Sequence, residues 1–328
     1  MGQKYIKRVA VLTSGGDSPG MNAAIRAVVR STISHKAEAI GIMRGYSGLL
    51  QRQFIGLQSH SVSKIISQGG TFLKSSRCPE FKEPKVRAQA YEILSEAGID
   101  ALVVIGGDGS FTGANLLYKE LGLPVVGIPG TIDNDIYGTD YTVGFDTAVN
   151  TAVSAIDKIR DTADSHNIIF FVEVMGRHSG FIALNTAISC GAEAALIPEV
   201  HTDIDRLCNY LEMERRKNKS SGIVIVAEGE DCGGAINVAE MVKGRLSSYE
   251  TRVTTLGHIQ RGGAPTNSDR VLASILGCEA VNALMAGQRG IMVGQINGEV
   301  VYTPLEEAVS RRNEVNKKLY EMIRILSL

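Results

Sequence analysis

Short apolar runs that stop at a glycine-rich turn or a polar cluster recur along the chain, at residues 9–12, 101–105, 125–128, 168–174, 223–227 and 291–293. Runs this short, with no polar residue alternating through them, fit strands covered on both faces, as in parallel sheets. Between several of them the apolar spacing is helical. Residues 21–34 carry Ile25, Val28 and Val29 on one side, and residues 85–97 carry Val86, Ala90, Ile93 and Leu94. Strand alternating with helix predicts a doubly wound α/β sheet. The chain has 328 residues, about two domains at ~150 residues each. Because no stretch rich in Pro, Ser or charge divides it, a second domain must be interleaved with the first.

Charge and cysteine content exclude several function classes. The 34 Lys and Arg balance 35 Asp and Glu, so the basic excess of a general nucleic-acid binder is missing. Five cysteines, at 78, 190, 208, 232 and 278, are odd in number and form no Cys-x-x-Cys pair, which suggests neither a disulfide framework nor a zinc site. A reducing, cytoplasmic setting is expected. The basic start is followed by only four apolar residues, and no apolar stretch approaches ~20, so neither export nor a membrane span is expected.

Two glycine-rich turns fall where strands should end: Gly15-Gly16-Asp17, and Gly106-Gly107-Asp108-Gly109-Ser110 leading into residues 111–121. Glycine lets backbone N–H groups approach a phosphate, and a following helix start adds a favourable dipole. A carboxylate beside phosphates needs an intervening cation, so Asp108 points to Mg²⁺. The same strings also fit tight strand-to-helix turns with Asp as the cap; Asp17 and Ser18, ahead of Pro19, suit a cap for helix 21–34. Residues 129–135, Pro-Gly-Thr-Ile-Asp-Asn-Asp, follow another strand and place a hydroxyl and two carboxylates at the ligand edge of the sheet. If the chain is extended there, Asp133 and Asp135 face one way, one for a metal and one to accept a proton. An Asx turn explains the same string equally simply. Arg77, Arg177, Arg252, His258 and Arg261 are cations suited to a sugar phosphate, Arg because its fork donates two hydrogen bonds at once. The charged run 212–219 reads as a solvated helix end, and His35, His60 and His201 receive no role. The residues alone thus suggest an enzyme that binds Mg²⁺ and two phosphorylated ligands and activates a hydroxyl with an Asp, a sugar-phosphate kinase.

Six strings, at residues 12–17, 69–72, 105–110, 129–135, 174–177 and 256–263, resemble bacterial ATP-dependent 6-phosphofructokinases of the A family, in order and across nearly the whole chain. The resemblance implies two interleaved Rossmann-like domains with mainly parallel sheets sandwiched by helices. With the fold argument, residues 1–140 plus 257–304 are expected to bind nucleotide, and 141–256 plus 305–328 the sugar phosphate. It implies transfer of the γ-phosphoryl group of ATP to the 1-hydroxyl of fructose 6-phosphate, the committing step of glycolysis, in a homotetramer. By that likeness Asp133 is the base, Thr131 holds the sugar near its reacting hydroxyl, Asp108 serves Mg²⁺ with Asp135 nearby, and Arg77 and Arg177 neutralise the transferred group. Gly16, Arg77, Cys78, Gly106, Gly107, Asp108, Gly109 and Ser110 would line the nucleotide. Thr131, Ile132, Met175, Gly176, Arg177 and Glu228 would contact the sugar. His258, Ile259, Gln260 and Arg261 would lie at its 6-phosphate, with Arg252 reaching it across a subunit interface. Arg26, Arg30, Arg160, Glu193, Lys217 and Lys219 partly match the family's site for ADP or phosphoenolpyruvate; a further basic position of that site is Gln53 here.

Pyrophosphate-dependent relatives carry Asp where this chain has Gly109 and Lys where it has Gly130, so ATP is the expected donor. Where family members usually place an Arg for the neighbouring subunit's 6-phosphate, this chain has Ile168. One charge-assisted contact worth ~1.5–3 kcal/mol is absent there, an expected ~10- to 150-fold loss of sugar affinity or a different sugar. Competing readings are a paralogue using another ketose phosphate or pyrophosphate, and a regulatory subunit that binds effectors without turnover.

Overall fold

The computed structural model describes residues 6–216, 221–246 and 250–327. Among these residues are eleven strands: β1 (Arg8–Ser14), β2 (Glu38–Ile42), β3 (Phe54–Leu57), β4 (Ala101–Gly106), β5 (Val125–Pro129), β6 (Ile168–Val174), β7 (Ala194–Leu196), β8 (Gly222–Ala227), β9 (Glu250–Thr255), β10 (Ile291–Ile296) and β11 (Glu299–Pro304). All six expected strands are present. β2, β3, β7, β9 and β11 went unforeseen, being short or mixed in polarity, as in Glu-Thr-Arg-Val-Thr-Thr of β9.

The chain forms two compact units. The first comprises Met1–Ile132, Ile136–Thr147 and Arg261–Asn313; the second comprises Asp133–Asp135, Ala148–Gln260 and Glu314–Leu328. The changeovers at 147/148, 260/261 and 313/314 lie beyond the expected 140/141, 256/257 and 304/305. Packing accounts for the last of these: Leu305 and Ala308 belong to an apolar layer of the first unit.

In the first unit the strand order is β11-β10-β5-β4-β1-β2-β3, parallel through β10-β5-β4-β1-β2 and antiparallel only at β10-β11 and β2-β3. Successive side chains alternate between faces. Val9, Val11, Val103 and Ile105 pack with Ile25 and Val28 of the helix Met21–Ser34, while Ala10, Leu12, Leu102 and Val104 pack with Phe111, Ile93 and Leu94. Burial on both faces, at about 1.5–3 kcal/mol for each large aliphatic side chain, is why these strands read as unbroken apolar runs. The second unit holds a parallel sheet in the order β7-β8-β6-β9, one face of which packs Ile169, Phe171, Val224 and Val226 against helices Ile204–Arg216 and Ala235–Arg245. No helix among the described residues is long and apolar enough to cross a membrane.

The helix expected at 21–34 runs Met21–Ser34, but Asp17 and Ser18 do not cap it. Its cap is Gly20, left-handed at φ 100°, and the buried Ser18 hydroxyl donates instead to the Val143 carbonyl at 2.8 Å. Glu214 is buried, which corrects the solvated reading of its run. Asp269, in the first turn of the helix starting at Asn267, caps the helix starting at Phe145, while Thr266 caps its own helix. The Asp269 carboxylate accepts from Gly144 N–H at 2.7 Å, Thr147 N–H at 2.8 Å and the Thr147 hydroxyl at 2.5 Å, and Thr266 Oγ1 accepts from Asp269 N–H at 3.3 Å. The Thr-x-x-Asp string at 266–269 is the acidic form of a capping pattern and is legible in the sequence.

Burial pushes the Asp269 carboxyl above its ordinary value, against the hydrogen bonds that lower it. The folded chain therefore keeps a proton on Asp269 that the unfolded chain, titrating near about 3.9, has released, and stability falls as pH rises through the window between the two values. Asp269→Asn is expected to lose about 2–4 kcal/mol, because its amide N–H₂ faces backbone donors, and to remove that slope. Urea unfolding of both proteins at a series of pH values measures both effects.

Candidate active site

In the first unit β1 lies beside β4 with Ser14 opposite Gly106, and β4 beside β5 with Gly106 opposite Pro129. The turns that follow all three strands therefore leave one edge of the sheet. A methyl group on Gly15 would lie 3.5 Å from Ser110 Oγ, and one on Gly106 would lie 2.6 Å from both Ser110 Oγ and the Ser14 carbonyl. A side chain at 106 would thus force the two turns apart. The helix Asp108–Leu121 starts in this corner with Gly107, not Asp108, as its cap. Asp108 is exposed, and its Oδ1 accepts from Gly109 N–H at 2.6 Å. From below, the Tyr46 hydroxyl donates to the Ser110 carbonyl at 2.7 Å, its ring stacked on Phe81 at 4.0 Å.

A methyl group on Gly109 would meet nothing within 4 Å, whereas one on Gly130 would lie 3.0 Å from Ile105 and 3.2 Å from Met21. Gly109 thus leaves the open space expected of it. Gly130 is a close-packed contact and leaves none. The segment ahead of Arg77 is tied to this edge: Ser75 Oγ donates to the Gly15 carbonyl at 2.8 Å, Thr13 Oγ1 to the Lys74 carbonyl at 2.9 Å, and Phe72 N–H to Asn22 Oδ1 at 2.6 Å. Arg77 is exposed. Cys78 is half-buried, and burial, with Glu80 beside it, pushes its thiol above the ordinary value. Arg261, expected at the sugar phosphate, lies against the 15–17 turn: Nη1 donates to the Asp17 carbonyl at 3.2 Å, and a methyl group on Gly16 would stand 2.2 Å from that nitrogen.

In the second unit β6 ends in a constrained turn. Met175 is buried, Gly176 has φ 143° and Arg177 is left-handed at φ 53°. Glu228 Oε1 accepts from Arg177 N–H at 2.8 Å and from Gly176 N–H at 3.3 Å, so its carboxylate shapes this turn. Against the other side of the turn lies Gly229, where a methyl group would come within 1.7 Å of the Arg177 carbonyl. Asp133 is buried, with Oδ2 3.7 Å from Arg177 Nε. The chain is not extended from 133 to 135, since Asn134 is left-handed at φ 54°, so the shared-face argument for the two carboxylates fails. Asp133 is buried and Asp135 half-buried. Thr131 and Ile132, which precede this segment, belong to the first unit; Thr131 is half-buried, Ile132 is buried, and the Thr131 carbonyl accepts from the Thr142 hydroxyl at 2.6 Å.

His258 and Ile259 are exposed. Gln260 is fully buried, its amide donating to the Gly257 carbonyl at 3.1 Å. Arg252, on β9, is exposed and ion-paired with Glu250. Ile168 is buried at the start of β6. Of the effector set, Arg26 and Arg30 lie on one helix, each with a buried Nε that has no hydrogen-bond partner. Arg160 donates to the Cys190 carbonyl at 2.5 Å, and buried Glu193 accepts from Ile223 N–H. Lys217 and Lys219 lie outside the described residues. His201, given no role from sequence, pairs with Asp231 at the surface, and His35 Nε2 lies 3.0 Å from Asn282.

Glycine-rich turns gathered at one edge of a largely parallel sheet in the first unit, and in the second a buried Asp133 beside an exposed Arg177, suit a phosphoryl-transfer enzyme of the α/β class. The family model described as Phosphofructokinase matches residues 8–284, and the chain belongs to that family. It is 54% identical over 323 residues to ATP-dependent 6-phosphofructokinase 1 of Thermus thermophilus, covering 98% of this chain and 100% of that one. It is 52% identical to ATP-dependent 6-phosphofructokinase 2 of Bacteroides thetaiotaomicron, covering 98% and 99%. Among solved structures, phosphofructokinase from Saccharomyces cerevisiae matches at TM-score 0.87 and 37% identity over 98% of this chain, which spans 47% of the yeast chain.

Gly229→Ala is expected to cost about 1–3 kcal/mol through the clash with the Arg177 carbonyl and to displace the Arg177 guanidinium. Thermal unfolding measures the first effect, and the rate of the reaction proposed below measures the second.

Proposed function

We propose that this chain transfers the γ-phosphoryl group of ATP to the 1-hydroxyl of fructose 6-phosphate, giving fructose 1,6-bisphosphate and ADP. One observation carries the reading: the buried carboxylate of Asp133 stands beside Arg177 on a segment that leaves the sheet edge carrying both glycine turns. The polyphosphate lies along residues 15–17 and 106–110, where backbone N–H groups and the start of the helix at Asp108 meet its charge. Asp108 fits a hard divalent cation, being an exposed carboxylate whose Oδ1 alone is taken up by Gly109, and would hold Mg²⁺. When bound, that ion supplies charge neutralisation on the phosphates.

Thr131 orients the sugar, carried on a segment anchored by the fully buried Ile132, and Met175, Gly176 and Glu228 border it through the turn they build. Asp133 takes the proton from the 1-hydroxyl as its oxygen bonds to the γ-phosphorus and the bond to the β-phosphate oxygen breaks. Arg177 and Arg77 face the negative charge that gathers on the transferred group. His258, Arg252 and the exposed face of Ile259 serve the 6-phosphate end. Buried Ile168 offers that anion no donor, which predicts weak sugar affinity. ATP is favoured over pyrophosphate because Gly109 keeps its side open. We further propose a homotetramer whose basic pair Arg26 and Arg30 seats a phosphorylated effector, ADP or phosphoenolpyruvate, in a cytoplasmic setting that suits five free cysteines.

A coupled assay of the purified protein with fructose 6-phosphate and either ATP or pyrophosphate tests the donor, and other ketose phosphates test the acceptor. Turnover is expected with ATP, reduced by about 10²–10⁴-fold in Asp133→Ser. Gly109→Asp is expected to lower ATP turnover by more than about 10-fold through like-charge conflict. Binding without turnover would identify a regulatory subunit instead.

A further inference from the structure

We propose that Ser179 is a positioning residue for the proton acceptor. The inference rests on the reading of Asp133 given above and adds a residue to it. Ser179 is buried, with 4% of its surface exposed, and its hydroxyl donates to the backbone carbonyl of Asp133 at 2.8 Å. The same oxygen is 3.5 Å from the N–H of Phe181, the first residue of helix Phe181–Cys190. Its own N–H closes the turn by donating to the Gly176 carbonyl at 2.9 Å. The turn is tight enough that a methyl group on Gly176 would sit 2.4 Å from the Ser179 carbonyl.

Arg177 occupies the middle of this turn. Its N–H is held by Glu228 and its carbonyl is packed against Gly229. The guanidinium therefore projects from a backbone fixed at both ends. Asp133 precedes Asn134, left-handed at φ 54°, a region that asparagine enters more readily than most side chains, so the position of this turn depends on the contacts that its flanking peptides make. The Ser179 hydroxyl supplies one such contact, because it joins the Asp133 peptide to the turn that carries Arg177. Its bond is to the backbone carbonyl of Asp133, so its effect falls on where the carboxylate stands relative to Arg177, 3.7 Å away. A misplacement of this kind lowers the rate of the proton-accepting step while leaving ground-state binding nearly intact.

The test compares wild type, Ser179→Ala and Ser179→Cys in turnover with ATP and fructose 6-phosphate, in thermal unfolding and in equilibrium binding of each substrate. Ser179→Ala is expected to lose between about 5-fold and 100-fold in kcat, with both KM values within about 2-fold and Tm within a few degrees. Ser179→Cys, whose thiol is a weak donor, is expected to fall between. Unchanged kcat, a change confined to KM, or kcat lost only in step with Tm would each overturn the proposal and leave Ser179 a structural cap of the following helix. A wild type that binds both substrates without turnover would instead overturn the reading of Asp133, and this proposal with it.

Discussion

The register of three neighbouring parallel strands brings the two glycine turns and the 129–135 segment to one edge of the sheet. Ser14, Gly106 and Pro129 stand in one row across β1, β4 and β5, so the turns that follow emerge together. That register is held by side chains on both faces of the sheet. A one-residue slip of β4 would exchange the layer that contains Val103 and Ile105 with the one that contains Leu102 and Val104, and both layers are fully packed. The apolar core and the alignment of the glycine turns are thus one constraint.

The second unit solves a different problem, which is to aim a flexible cation. Arginine loses rotamer freedom when its head is fixed, and the chain reduces that cost by fixing the backbone first. Glu228 holds the N–H of Arg177, Gly229 admits its carbonyl, and Gly176 allows the reversal before it. Glu228 shows how a residue assigned by likeness to one role can have another visible in the geometry, since its Oε1 accepts from the backbone N–H groups of Gly176 and Arg177.

The strands buried on both faces were legible because their composition is uniform. The five strands that were not legible sit mostly at sheet edges or carry mixed polarity, as β9 does with Glu250 and Arg252. The glycine turns and Asp133 were legible as strings that follow apolar runs. What the sequence withheld was which atoms the small polar residues meet. Ser18 reads as a cap yet reaches Val143, 125 residues away, and the Arg261 guanidinium donates to the Asp17 carbonyl, 244 residues away. Both depend on a partner distant along the chain, which local pattern cannot specify. Thr266 and Asp269 are the reverse case, a local pattern present in the sequence and passed over.

The unequal surroundings of Gly109 and Gly130 bear on how donor preference could drift over evolutionary time. Position 109 opens onto free space, so any side chain there is sterically admissible at the first step. Position 130 is packed against Ile105 and Met21, so a side chain acquired there makes those neighbours give by a few tenths of an ångström. The two glycines are therefore replaceable in one order more readily than in the other, and intermediates substituted at 130 alone should be the scarcer among descendants.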